Sequence, residues 1–402
     1  MAPTLHPPKD LTVPLVGSTT ARDVLSLAVR RLMVELSALA RRPGELPLDR
    51  ADAVSFARLV TETLATTPGA LASALLQPTV GALVRCLRNS PSPELATQLF
   101  ATLATDLAAS GALAHEVVVT RLPSQILSAT AGLSIAIPPD ARALRLAPGE
   151  LVVEGADRRH ALDLATGAGA EGLVTRPYHQ VEGGLVLALE DNNPLSMFEA
   201  HPDKEGNAID LGEQPVAAWV DALRAALALI AAHLPELRAE LDLYVRQFVP
   251  VGHSDDKHLS ASYQEAIGTI YLSHHPSAMT MVEAVIHEFS HNKLNALFEL
   301  DPVLKNAFSP LYTSPVRPDA RPLHGVLLAV HAFFPVARLY ELMLRAEHPL
   351  AASAWFVERY AQIRRINREG AEVVLTHGEA TDVGAALLAE LRRWDEHFMA
   401  VP

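Results

Sequence analysis

The stretch from Met279 to Leu300, MTMVEAVIHEFSHNKLNALFEL, constrains this chain most, because a helix that is apolar nearly all round has to be buried. At helical spacing Thr280, Ala284, His287, His291, Leu294 and Phe298 share one face, and Val282, Val285, Ile286, Phe289, Ala296 and Leu297 cover much of the remainder. Within it lies His287-Glu288-Phe289-Ser290-His291, an HExxH motif. Four residues advance a helix by one turn and about 40°, so both imidazoles can face one metal ion. Glu288 falls on the flank of that face. There it can take a proton from metal-bound water, or orient another ligand, without binding the metal itself. Each of these groups needs a partner once buried, and a metal satisfies all three together; two hydrogen-bonded core histidines are the plainer alternative.

The chain around this helix predicts an α+β, mostly α protein. Residues 1–18 read as an extended arm. Residues 19–112 are rich in Ala and Leu at helical spacing, with prolines at the joints, and predict a bundle of four or so helices. A scaffold or homodimerisation layer suits them at least as well as peptide binding. Residues 113–205 change to short apolar runs between Gly, Pro and Asp, such as Leu133–Ile137 and Leu185–Leu189, and predict a small central β-sheet region. Residues 206–402 predict a helical metal-binding domain in which a strand, Ile267–Leu272, immediately precedes the HExxH helix. That order is the layout of many zinc peptidases, where an edge strand holds an extended peptide. A proline-rich loop follows over 309–322, then a helix from Leu323 to about Arg345 kinked at Pro335, then two more helices with a break near 376–378.

Composition narrows the function. A net charge of -13 with no long basic run argues against a general nucleic-acid or anionic-membrane binder. The lone Cys86 excludes an internal disulfide and any cysteine-built metal site, which suits a reducing cytoplasm. The N-terminus lacks the pattern of a signal peptide, and no window is expected to span a bilayer. A soluble cytoplasmic protein is the resulting expectation.

Two histidines rarely make a tight site, so a third ligand is needed. Leu294 and Leu297 exclude the HExxHxxGxxH pattern. Glu341 and Glu347 are candidates under the zincin pattern that takes a Glu from a later helix, and each reads equally well as a surface charge. The better candidate is His331, in the apolar run Gly325–Phe334, where an unpartnered imidazole is costly. His324, seven residues earlier on the same face, is the rival, and its place near the helix start suits a cap or supporting group. Lys293 faces away from His291, which points to a structural ion pair.

Together, His-Glu-Phe-x-His-x-Lys-Leu at 287–294, Tyr312 with Pro315, Arg317, Asp319, Arg321 and Pro322, and the following helix with His331 resemble the HExxH-type, 2-oxoglutarate-dependent peptide β-hydroxylases that tailor ribosomally made peptides. The resemblance covers roughly residues 260–340; Val316 stands where an aromatic is more usual. It implies Fe(II), 2-oxoglutarate and O2, a precursor peptide as substrate, and His287, His291 and His331 as ligands. Three neutral imidazoles leave the ion's charge uncompensated, and a chelating dianion neutralises it. The remote carboxylate of that dianion calls for a guanidinium; Arg317 and Arg321 are the candidates, with Tyr312 as hydroxyl donor, unless the arginines serve only the loop or Asp319. The rival function is a zinc metallopeptidase with Glu288 activating water. A third is a silent peptide-binding protein.

Overall fold

The computed structural model describes residues 7–400 apart from 43, 170, 192, 195–208, 254–257 and 317–318. The protein is α+β and mostly helical. Five helices come first: α1 (Thr20–Arg41), α2 (Arg50–Thr66), α3 (Pro68–Leu76), α4 (Pro78–Asn89) and α5 (Pro93–Ala109). Proline opens α3, α4 and α5, where its missing N–H costs no hydrogen bond. Nine short strands follow: β1 (Val117–Val119), β2 (Gln125–Ser128), β3 (Leu133–Ala136), β4 (Ala143–Ala147), β5 (Glu150–Glu154), β6 (Arg159–Asp163), β7 (Val174–Pro177), β8 (His179–Glu182) and β9 (Leu185–Leu187). They make an antiparallel sheet β1-β4-β5-β6 and a second, β2-β3-β7, while β8 and β9 join a later sheet. Phe56, Leu99, Phe100 and Leu103 of the helices share one apolar core with Val119, Ile135, Leu144 and Val153 of the strands. The change of pattern near 112 is therefore a change of secondary structure within one core. The expected boundary near 205 lies outside the described residues.

The rest of the chain runs α6 (Val216–His233), α7 (Pro235–Tyr244), β10 (Gln247–His253), β11 (Ser260–Ala261), β12 (Thr269–His274), α8 (Ala278–Phe298), the hairpin β13 (Leu311–Tyr312) and β14 (Arg321–Pro322), α9 (Leu323–Arg345), α10 (Ala354–His377) and α11 (Asp382–Ala400). The sheet here has the order β11-β12-β10-β9-β8, with β10 parallel to both β12 and β9. The strand before the motif helix is thus not at the edge. Its outer side is covered by β11, paired antiparallel at Ser260 with Leu272 and Ala261 with Tyr271.

Ser277 caps α8 by accepting from the N–H of Thr280. Once formed, α8 is enclosed by α1, α6, α7, α9 and β12. Asn292 ties it to its strand: Oδ1 accepts from the N–H of Gly268 at 2.6 Å, while Nδ2 donates to the carbonyls of Thr269 and Glu288. Gly268 has φ +104°, and a Cβ there would lie 3.2 Å from the carbonyl of Tyr244, so glycine is needed for the strand to start this close. At Gly370 on α10 a Cβ would lie 2.5 Å from Val330, and its absence lets α10 press against α9.

Two expectations need correction. Among the described residues two helices, α6 and α9, are long and apolar enough to cross a membrane, and α3 with α4 passes as a bent pair. In α9, 78% of the qualifying window is buried inside the protein, against 33% in α6, so the apolar character of α9 is accounted for by its packing against α8 and α10. The described part of the N-terminal arm, from residue 7, is docked on the protein. Leu11, Thr12 and Val13 are buried, and their N–H groups donate to the carboxylate of Glu390 on α11.

Candidate metal centre

Along α8 nearly every residue is buried, and the exceptions include His287 and His291, whose rings are partly exposed on a cavity of about 660 Å³. Ligand atoms of His287, Glu288 and His291 lie within 4.8 Å of one another. The two rings meet edge to face with centroids 4.4 Å apart, and Phe333 of α9 packs on His287 at 4.7 Å. Nδ1 of each histidine is buried without a hydrogen-bond partner. Burial pushes His287 down to about 3, helped by the neighbouring His291, and pushes His291 down to about 4, helped by His324. Both rings are therefore neutral at ordinary pH, the form a metal requires.

Glu288 is oriented from across the cavity. Ser260 Oγ of β11 donates to Oε1 and Ser262 Oγ to Oε2, both at 2.7 Å. Each oxygen keeps lone-pair capacity, but the carboxylate plane is set by the edge strand. In sequence these serines read only as part of a polar loop.

The third ligand is where the structure departs most from the sequence reading. His331 is fully buried on α9, yet it does not line the cavity or join the cluster with His287 and His291. Its surroundings are Lys293, His291 and the backbone of Ser290 and Leu11, and neither ring nitrogen makes a hydrogen bond of good geometry. Burial, then the charge of Lys293, holds it far below the usual histidine range. Ser290 and Lys293 sit about 100° and about 160° round α8 from His291, so His331, which also feels His291, meets α8 beside the cavity wall and not on it. His324, the rival, lines the cavity, with its ring between Phe298 at 4.6 Å and Phe308 at 5.2 Å, but like His331 it lies outside the cluster of His287, Glu288 and His291.

The remaining candidates separate. Arg321 lines the cavity and donates from Nε to Asp319 at 3.2 Å. Arg317 lies outside the described residues. Tyr312 stacks on His377 at 4.8 Å and is not part of the cavity wall, because β13 turns its ring toward the end of α10. Glu341 is engaged with Arg338, Arg345 and His397, and Glu347 is exposed at φ +51°; neither reaches the cavity. Lys293 forms a buried ion pair with Glu240 at 2.5 Å. Arg359 of α10, which attracted no attention in the sequence, is on the cavity wall. Among the described lining residues Glu288 is the one carboxylate, set against Arg321 and Arg359. The donor set fits a divalent metal, and the two guanidiniums on the wall are each paired with a carboxylate behind it, Arg321 with Asp319 and Arg359 with Glu283.

No family model matches the chain, and comparison with curated proteins finds none similar to it.

Proposed function

We propose that the protein is an Fe(II)- and 2-oxoglutarate-dependent oxygenase that hydroxylates a residue, at Cβ by the family resemblance, of a ribosomally made precursor peptide. The observation that carries this reading is the composition of the cavity: two neutral HExxH imidazoles with two guanidiniums and a single, already hydrogen-bonded carboxylate. His287 and His291 would hold the metal, and His324, on the same cavity wall, would be the third ligand in place of His331. When bound, iron and 2-oxoglutarate activate O2, so that one oxygen atom enters a C–H bond of the peptide and the other leaves in succinate, with release of CO2.

The chain's own residues place and shield. Two neutral imidazoles draw in a dianion more strongly than a carboxylate-rich set would, and Arg321, paired with Asp319, offers its remaining N–H groups to the same cavity. Leu328, Phe333 and Ile366 form apolar walls that keep bulk water from the reacting carbon. Glu288, tied at both oxygens, orients the peptide or a ligand instead of serving as a hydrolytic base. The buried Cys86, its thiol pushed up to about 12 by burial, fits a cytoplasmic protein.

A zinc metallopeptidase is the second reading, favoured by one observation: β11 lies beside the motif helix at the sheet edge, where a peptide can pair with it. The two part on one experiment. Purified protein is loaded anaerobically with Fe(II) or Zn(II) and given 2-oxoglutarate and O2. Succinate formation with iron, preceded by a visible absorption band when 2-oxoglutarate is added, supports the oxygenase; peptide cleavage with zinc and no succinate overturns it. Glu288→Gln sharpens the result, since a peptidase loses nearly all activity and the oxygenase keeps part.

A further inference from the structure

Arg359 takes no part in holding the motif side chains, yet it is the most firmly oriented cation on the cavity wall. Its side chain is 26% exposed. Nε donates to both oxygens of Glu283 at 3.1 Å, Nη2 donates to Glu283 Oε2 at 2.6 Å, and Nη1 donates to Gln362 Oε1 at 2.7 Å. Glu283 lies on α8 one turn before His287, and it also accepts from the hydroxyl of Tyr340 on α9. Tyr340 is fully buried, packed against Phe356 at 4.3 Å and Tyr360 at 6.1 Å. Three helices therefore fix one guanidinium.

A guanidinium has five N–H donors. Nε–H and one N–H of Nη2 go side-on to Glu283, and one N–H of Nη1 goes to Gln362. What remains is one N–H on each terminal nitrogen, and with Gln362 on the Nη1 N–H that points back along the side chain these two form the parallel end-on fork that a carboxylate meets with both oxygens. Arg359 and His287 line the same cavity. Arg321 differs. It is 35% exposed and is held through Nε alone among the described residues. Glu283 offsets the charge of Arg359 and Asp319 that of Arg321, so what Arg359 contributes is a fixed direction and not net charge.

We propose that the end-on fork of Arg359 binds the metal-remote carboxylate of a dicarboxylic acid in this cavity, with Glu283 and Tyr340 as positioning residues; naming that acid 2-oxoglutarate rests on the oxygenase reading. The fork sets which keto acid is accepted: one ending in a carboxylate is held at both ends, whereas one ending in a methyl group leaves the fork unfilled.

Calorimetric titration of the full chain with succinate tests the site without turnover. Wild type binds succinate. Arg359→Gln combined with Glu283→Gln, which avoids stranding a buried carboxylate, weakens binding about ten- to hundredfold, as expected for loss of a charge-assisted contact. Arg359→Lys keeps the charge but not the fork and also weakens it, while Tyr340→Phe has a smaller effect in the same direction. Thermal midpoints taken on the same samples confirm folding. In the iron-loaded protein the double variant loses affinity for 2-oxoglutarate but not for 2-oxobutyrate, which has no remote carboxylate. Equal succinate affinity in wild type and folded variants, or no succinate binding by wild type, overturns the proposal. Arg359-dependent succinate binding without any iron-dependent turnover overturns the oxygenase reading instead and leaves the carboxylate site standing.

Discussion

The two sides of α8 bury polar groups in opposite ways. On one side His287, Glu288, His291 and Asn295 look into a cavity, with Glu288 steered by serines from the edge strand and the imidazoles left with open nitrogens. On the other, Lys293 is closed off by Glu240, and His331 is sealed between α8, α9 and the docked N-terminal arm. Both sides are equally rich in the residue types from which sites are built. What separates them is access: a group that faces space can take a ligand, and a group that faces packed backbone can only be a cost or a clamp.

This contrast is broken or sharpened by substitution. The largest effect is expected on the cavity side. His287→Ala and His291→Ala each weaken metal binding by more than ~100-fold, measured by anaerobic titration, because they remove a ligand and not merely its support. Next comes the sealed side, where Glu240→Ala strands the ammonium of Lys293 and costs about 3–5 kcal/mol in urea unfolding, while the folded fraction still takes up metal. The double change Glu240→Leu with Lys293→Met restores most of that loss if the pair serves stability alone. Asn292→Ala, which leaves the N–H of Gly268 without its acceptor, costs about 1–3 kcal/mol.

The smallest effect is one of pH. His331 titrates far below 6.5 in the folded protein and near 6.5 when unfolded. The unfolded chain therefore binds the extra proton first, and the stability that the neutral ring permits is present above 6.5 and lost as pH falls below it. His331→Leu removes that dependence. The stability of the variant relative to wild type should rise as pH drops from 6.5; unfolding midpoints that run parallel over this range contradict the assignment of a neutral core imidazole.

The same contrast accounts for how much could be read in the sequence. Local pattern sufficed for α8, for the strand before it, for α9 with its bounds at Leu323 and Arg345, and for the break after His377. All of these follow from spacing and from proline and glycine. It failed where distant segments meet. An apolar run makes His331 conspicuous, but periodicity does not say which neighbour a buried face meets, and the structure places this ring outside the cavity wall. Arg359 was hidden among Arg364, Arg365 and Arg368 on an ordinary-looking amphipathic helix, and only its meeting with Glu283, 76 residues away, distinguishes it. Ser260 and Ser262 acquire a role only through Glu288, more than twenty residues on. The apolar windows of α6 and α9 were underrated for a related reason, since a helix enclosed by protein and one enclosed by lipid share a composition.

The claim on which the account turns is that the third imidazole belongs to the cavity and not to the sealed side. His324→Ala and His331→Leu, loaded side by side with Fe(II) and 2-oxoglutarate without oxygen, test it through iron content and the visible absorption band. The account predicts that His331→Leu keeps both and that His324→Ala loses the band and most of the iron. Loss in His331→Leu with retention in His324→Ala would contradict it.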